Sequence, residues 1–321
     1  MVNRIPKASI IVVSYNDFNG TTGPCLSSLQ QDVNFFEFEI IIVENGSDQE
    51  TLRCLNCIKP VKNLKIILNN SNLGFAQANN IGVRYASAPI LIFLNSDTIV
   101  PTGAIGALCS KLVKKTKWGA VGPMTNSVGN EQLLSCEGKK TEEILKESLL
   151  WIKNSKRSHF QTTQLSFFCV ALSKVTWDSV GPLDETFGLG YYEDVDYCIR
   201  MSMAGKTMHV LEDIFIYHKG SKSFSRTPKK VKELMKRNRK ILLKKFGSFA
   251  KKHLIHLRDA NLNVLSHYLE IFSCKNSVEI RFRFEKRFKL AKEQMPKGLI
   301  KKIRYQRKLS LIKKKWIKLN H

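Results

Sequence analysis

Residues 90–97 read Ile90-Leu-Ile-Phe-Leu-Asn-Ser-Asp97, five apolar residues followed without transition by three polar ones. So short an apolar run, bounded by polar residues, reads as a strand buried on both faces, and its end puts a carboxylate where the chain leaves the sheet. The same grammar occurs three times upstream. Ala8–Val13 runs into Ser14-Tyr15-Asn16, Glu39–Val43 into Glu44-Asn45-Gly46-Ser47-Asp48, and Leu64–Leu68 into the loop Asn69–Gly74. Between them Gly23–Gln31, Gln49–Cys57 and Phe75–Tyr85 read as helices, with Asp48 available as an N-cap. Repeated strand-then-helix units predict an α/β protein with a parallel, doubly wound sheet. Polar residues past the carboxyl ends of such strands collect along one edge, where ligands bind, and Tyr15, Glu44, Asn72 and Asp97 fall there.

Downstream, Ala120–Pro123 and Gln164–Leu172 read as further strands. A Gly-rich loop starting at Gly181 turns into a helix near Glu193, with acidic residues at the positive end of the helix dipole. Thr207–Val210 and Ile214–His218 close the globular part, and no internal repeat is found.

The charge is uneven. The 321 residues carry +25, but residues 219–321 hold 32 basic and 6 acidic side chains, a net +26 that leaves the first 218 at −1. A hydrophobic fraction of 43% supports an ordinary core and excludes wholesale disorder. Eight cysteines without dense spacing fit a reducing compartment, and Cys54 and Cys57 form a lone C-x-x-C with no second pair for a zinc site. Met1–Lys7 lacks the apolar stretch of a secretory signal, and no apolar run is long enough to span a bilayer, so the expected location is cytoplasmic. After Ser221 the sequence becomes Lys-rich, with Pro228 marking the change. Val231–Phe246, Leu254–Phe272 and the last twenty residues read as basic amphipathic helices.

Taken singly, the polar candidates are open. Asp97 could hold a hard cation through oxygen. Glu44 and Asp48 could accept hydrogen bonds from a base or ribose, although capping explains Asp48 equally well. Glu193, Asp194 and Asp196 are denser than a solvated helix face needs, and dipole stabilisation accounts for one or two of them. His218 follows an apolar strand, and a lone histidine is more often structural than a ligand.

Their order is more specific. Ser14-Tyr-Asn16, Val43-Glu-Asn-Gly-Ser-Asp48, Asn72-Leu-Gly-Phe-Ala-x-Ala-x-Asn80, Leu94-Asn-Ser-Asp97, Gly181-Pro-Leu-Asp-Glu-x-Phe-Gly-x-Gly-Tyr-Tyr-Glu-Asp-Val-Asp-Tyr-Cys-x-Arg200 and Tyr217-His218 together resemble family 2 glycosyltransferases of the GT-A fold, especially the rhamnosyltransferase-like branch, over about residues 8–225. The resemblance implies a GT-A nucleotide-diphospho-sugar transferase domain over residues 1–225, with a mainly parallel sheet flanked by helices, and a basic helical extension over 226–321. It implies inverting transfer of a sugar from a nucleoside diphosphate, either dTDP-rhamnose or a UDP-sugar, to an acceptor hydroxyl on a lipid-linked or cell-surface glycan. A divalent metal, Mg2+ or Mn2+, is expected at Asp97 and His218, and the general base at Asp194. Ser14, Tyr15, Asn16, Glu44, Asn45, Asn72, Gly74, Asn80 and Asn95 match donor-side positions. Glu193, Asp196 and Arg200 match the acceptor side and its supporting helix. Two positions depart from the pattern: Asn95 replaces the first acid of the D-x-D motif, and Glu44 stands where Asp is usual.

A nucleotidyltransferase is disfavoured because the first loop, Ser14-Tyr-Asn-Asp-Phe18, lacks the Gly- and Lys-rich activating loop. A nucleic-acid-binding protein on a degenerate scaffold is disfavoured by the intact acidic motifs. For the extension, Phe246, Phe249, Phe272, Phe282, Phe284, Phe288 and Trp316 among Lys and Arg favour helices lying in an anionic membrane interface, on the inner face of the membrane, over a solvated accessory domain or a nucleic-acid contact.

Overall fold

The structure, a computed structural model, describes residues 5–115, 117–134, 140–220, 228–274 and 277–320. The first four residues, Cys136 and the expected boundary at 225/226 lie outside the described residues. The N-terminal units are β1 (Ala8–Ser14), α1 (Thr22–Gln30), β2 (Phe38–Asn45), α2 (Gln49–Asn56), β3 (Leu64–Asn69), α3 (Phe75–Arg84) and β4 (Ile90–Asn95). β1 pairs in parallel with β2 and β4, and β2 with β3, so the four carboxyl ends share one edge. The spatial order β3-β2-β1-β4 reverses direction at β1, which opens a crevice between β1 and β4 at that edge.

Beyond β4 come β5 (Thr98–Ile99), α4 (Ala104–Val113), β6 (Trp118–Met124), α5 (Thr141–Lys153), β7 (His159–Thr162), β8 (Cys169–Ser173), α6 (Lys174–Val180), α7 (Glu193–Met203), β9 (Thr207–Phe215) and β10 (Tyr217–His218). The sheet continues as β8-β6-β9-β7, with β8 antiparallel to both β4 and β6. The sheet is therefore mixed. The expected strand Gln164–Leu172 shortens to Cys169–Ser173, because Gln164 and Thr162 spend their polar groups on a local turn. The two segments expected at 207–218 form one long strand plus the two-residue β10, which pairs antiparallel with β5.

The Lys-rich region forms four helices: α8 (Pro228–Arg258), broken at Gly247 where φ is +54°, then α9 (Ala260–Cys274), α10 (Val278–Glu293) and α11 (Leu299–Asn320). The apolar faces of α9, α10 and α11 join the core of the sheet, while α8 packs Leu242 and Ala250 in a smaller cluster with Phe187, Val195 and Ile199. Leu265, Tyr268, Phe284 and Trp316 lie in the same buried cluster as Trp151 and Phe160, while the opposite face of the sheet is covered by α1, α2 and α4. Here the sequence expectation is corrected. Of the seven aromatic residues assigned to a membrane interface, Phe272, Phe284 and Trp316 are buried, with Phe284 stacked on Trp316 at 3.7 Å between ring centroids. Phe246, Phe282 and Phe288 pack against the core, leaving Phe249 as the exposed member at 45%. A helix can satisfy an amphipathic pattern against protein as readily as against lipid, and packing on the sheet wins here.

Polar locks reinforce this junction. Buried Arg287 of α10 donates from Nη2 to Glu131 O at 2.8 Å and from Nη1 to Leu133 O at 2.5 Å. Glu212 of β9 accepts from Ser158 and, through a short contact, from Tyr268 of α9. Seven described cysteines are free thiols, Cys54 and Cys57 among them. No helix among the described residues is long and apolar enough to cross a membrane.

Candidate active site

The turn after β2 is built from its own acid. Glu44, buried at the strand end, accepts backbone N–H bonds from Gly46 at 3.1 Å and Ser47 at 2.6 Å. Ser47 Oγ accepts from Asn16 N, and Asn16 Oδ1 accepts from Asp48 N, so the ends of β1 and β2 are tied together. Ser14 shares a hydrogen bond with Thr22 of α1 at 2.8 Å. Tyr15 stands half-buried between these ties.

A second knot holds the loop after β3. Asn45 Nδ2 donates to Asn72 Oδ1 at 3.0 Å, and Asn45 Oδ1 accepts from Asn69 Nδ2 and Leu73 N. Asn72 in turn accepts from Gly74 N at 2.9 Å. Gly74 has φ +84°, and a Cβ there would stand 2.2 Å from Gly188 O. Only glycine lets these two loops touch. Asn80, expected on the donor side, is instead a brace: its amide donates to Leu183 O and Glu185 Oε1 while its Oδ1 accepts from Leu183 N.

At the end of β4, Asp97 Oδ1 lies 3.1 Å from His218 Nε2, and Asn95 Nδ2 is 3.4 Å from the same nitrogen. His218 Nδ1 is 2.7 Å from Ser127 O, and a carbonyl can only accept. Nδ1 therefore carries a proton donated to Ser127 O, and Nε2 is the ring nitrogen turned toward Asp97. Asn126 clamps the His218 backbone in both directions, and Phe168 stacks on the ring. Adjacent ligands of a small divalent cation at about 2.1 Å stand about 3 Å apart, so this pair has the spacing and donor types to share one ion. Among the described residues no third His, Cys, Asp or Glu joins them, so an ion held by this pair would need its other ligands from outside the protein side chains.

α7 begins with the carboxyl pair Glu193 and Asp194. Glu193 is buried with Oε2 unpartnered, and burial plus the neighbouring Asp194 pushes its carboxyl up to about 8. Burial raises Asp194 to about 6, against the opposing hydrogen bond from Val195 N at 2.8 Å. A carboxyl held near the neutral range can accept a proton that an ordinary surface Asp could not hold. Asp196 turns into the protein, where it accepts from Arg200 Nε at 2.7 Å and Lys245 Nζ at 2.5 Å. Arg200 reaches on to Val180 O and Pro182 O. Both residues hold α7 in place.

The structure thus gathers the sequence candidates into a Ser14–Asn16–Glu44 turn, an Asn45–Asn72–Gly74 loop, an Asn95–Asp97–His218 cluster and the carboxyl pair, with Gly74 against the loop before Glu193. Sequence reading missed Asn126 and Ser127, which follow β6 as polar residues past a strand end, the same signal that marked Asn72. It also missed Asn238 and Lys245, single polar positions in a Lys-rich helix with nothing local to distinguish them.

This mixed sheet, with its parallel N-terminal half and helical C-terminus, is a GT-A glycosyltransferase fold. It is shared with the mannosyltransferase of Pyrobaculum calidifontis solved with GDP-mannose and Mn2+, at a TM-score of 0.55 and 15% identity, covering 99% of this chain and 88% of that one. The family model described as Glycosyl transferase family 2 matches residues 9–173, and the chain belongs to that family. It is 26% identical over 138 residues to an N-acetylglucosaminyltransferase of Bradyrhizobium elkanii, covering 41% of this chain and 73% of the relative. It is also 26% identical over 148 residues to the hyaluronan synthase of Pasteurella multocida, covering 46% of this chain and 15% of the synthase.

Proposed function

We propose that this chain is an inverting glycosyltransferase that moves a sugar from a nucleoside diphosphate to an acceptor hydroxyl of a cell-surface or lipid-linked glycan. The observation that carries the reading is Asp194, a carboxyl lifted toward neutrality at the start of α7, beside a loop that touches the donor-side Gly74. Asp194 removes the acceptor proton as that oxygen attacks the anomeric carbon from the face opposite the diphosphate. The bond to the diphosphate breaks in line, which inverts the anomeric centre. Tyr15, Asn16, Glu44 and Asn72 line the nucleoside end, and Glu193, carrying its proton near neutrality, orients a sugar hydroxyl. Asp97 and His218 would hold a divalent cation, Mg2+ or Mn2+, which when bound supplies Lewis-acid neutralisation of the leaving diphosphate. The glycan class is supported by the names of relatives such as the hyaluronan synthase.

The test is transfer activity of Asp194→Asn against a panel of dTDP-rhamnose and UDP-hexoses. Turnover should fall at least a thousandfold while stabilisation by the matching nucleotide with Mn2+ is retained, and retained turnover would falsify the assignment.

A peripheral site on an anionic membrane fits α11. That helix carries nine Lys and Arg and no Asp or Glu, and Leu299, Ile300, Ile303, Leu311 and Ile317 are exposed on it, away from the buried Tyr305, Leu309, Ile312 and Trp316. Changing Leu299, Ile300 and Ile303 to Ser should lower co-sedimentation with phosphatidylglycerol vesicles about tenfold or more. Equal binding by the triple variant would sink the docking idea.

A further inference from the structure

The loop that delivers the carboxyl pair is held in an unfavourable conformation. Four of the five residues from 188 to 192 have positive φ, and two of those, Tyr191 at +70° and Tyr192 at +78°, are not glycine. Successive left-handed tyrosines persist only when their surroundings dictate them. On one side the loop meets the donor-side glycine turn, where Phe75 N donates to Leu189 O at 3.3 Å. On the other side stands Asn238 of α8, fully buried. Its Nδ2 donates to Phe187 O at 2.8 Å and to Gly190 O and Tyr191 O at 2.9 Å each. Two protons shared among three carbonyls make a small cage around a single nitrogen. The preceding Arg237 donates to Thr186 O and to Asn238 Oδ1, so the amide orientation is fixed. Leu242, one turn further along α8, packs with Phe187, Val195 and Ile199.

We infer that Asn238 is a positioning residue for the reaction: its amide gathers the carbonyls of residues 187–191 and so sets the backbone that aims Asp194. The inference rests on Asp194 being the base. It makes the basic extension part of the catalytic apparatus, because the brace comes from α8, the helix whose Lys245 also pairs with Asp196 of α7. Removing the donor should let residues 188–192 relax to ordinary φ values, turning the start of α7 without altering the nucleoside turn at Glu44 or the pair Asp97 and His218.

The experiment uses the full chain with Asn238→Leu, which fills the space without a donor, and Asn238→Asp, which keeps the shape but sets a carboxylate against three carbonyls. Hydrogen exchange followed by mass spectrometry should show faster exchange confined to residues 186–197 in both. Turnover should drop at least tenfold with the affinity for UDP or dTDP in Mn2+ within twofold of wild type. Unchanged exchange in that segment overturns the inference whether or not activity is measured. Faster exchange with wild-type kcat also overturns it. A wild-type chain that consumes no nucleotide sugar overturns the proposed function instead, and the exchange result still decides whether Asn238 holds the loop. Should Asn238→Leu fail to fold, Asn238→Asp alone carries the comparison, since it preserves volume.

Discussion

His218 Nε2 and Asp97 Oδ1 stand 3.1 Å apart because backbone fixes both ends of the contact. His218 pairs with Thr98 in the β10–β5 ribbon, and Lys219 N donates to Asp97 O at 2.9 Å. With Nδ1 committed to Ser127 O, Nε2 and the Asp97 carboxylate are left facing each other as a nitrogen and an oxygen donor at ligand spacing. Asp97→Ala and His218→Ala should each weaken nucleotide diphosphate binding in Mn2+ at least tenfold while leaving metal-free binding within twofold. Thermal shift titrations with and without Mn2+ measure both.

Activity should depend on pH through Asp194. Burial holds its carboxyl at about 6, so below that value the base is protonated and kcat/KM falls about tenfold per pH unit. Stability runs the other way. The folded value lies above the unfolded one, so the favourable contribution is present at low pH and lost as pH rises through about 6. Asp194→Asn should therefore unfold at a higher temperature than wild type at pH 8, by about 2 °C or more, with the gap closing near pH 4. Calorimetry at the two pH values checks the sign.

Gly74→Ala should cost far more than Gly103→Ala, although both glycines have φ above +80°. A Cβ at Gly103 meets nothing within 4 Å, so only backbone strain of about 1 kcal/mol is expected. At Gly74 the same atom lands 2.2 Å from Gly188 O and 2.8 Å from Gly188 C, both backbone, and the loop before Glu193 must move. The expected outcome is a loss of turnover of at least tenfold for Gly74→Ala against near-normal turnover for Gly103→Ala.

Arg287→Met should destabilise by about 2–4 kcal/mol, since it strips the buried carbonyls of Glu131 and Leu133 of their donors. Urea unfolding followed by tryptophan fluorescence would report it. Cutting the chain before α8 should go further and abolish cooperative unfolding, because Leu265, Tyr268, Phe284 and Trp316 belong to the core of the sheet. A membrane test based on such a truncation would mistake unfolding for lost docking.

Strands and helices up to Asn95 were legible because each buried strand ends abruptly in polar residues, a pattern set by local chemistry. The antiparallel β8 was not, since an apolar run carries no record of its direction. Nor was the partner of Phe284 or Trp316, because periodicity shows that a helix has an apolar face and says nothing of what covers it. At the candidate site, motif order singles out Asp97, His218, Glu193 and Asp194. The groups that fix them, Ser127 on the imidazole and Asn238 on the loop, act through backbone carbonyls, which every residue possesses and no sequence pattern advertises.

The brace on the carboxyl pair is made long after the pair itself. During synthesis Asp194 leaves the ribosome before Asn238, and the side chains that close the core, through Trp316, follow later still. Domains fold as units while the chain emerges, but this one has its last wall near the end of the described chain. A stalled nascent chain ending after His218 would carry every motif residue and still lack the Asn238 amide that holds the carbonyls of residues 187–191.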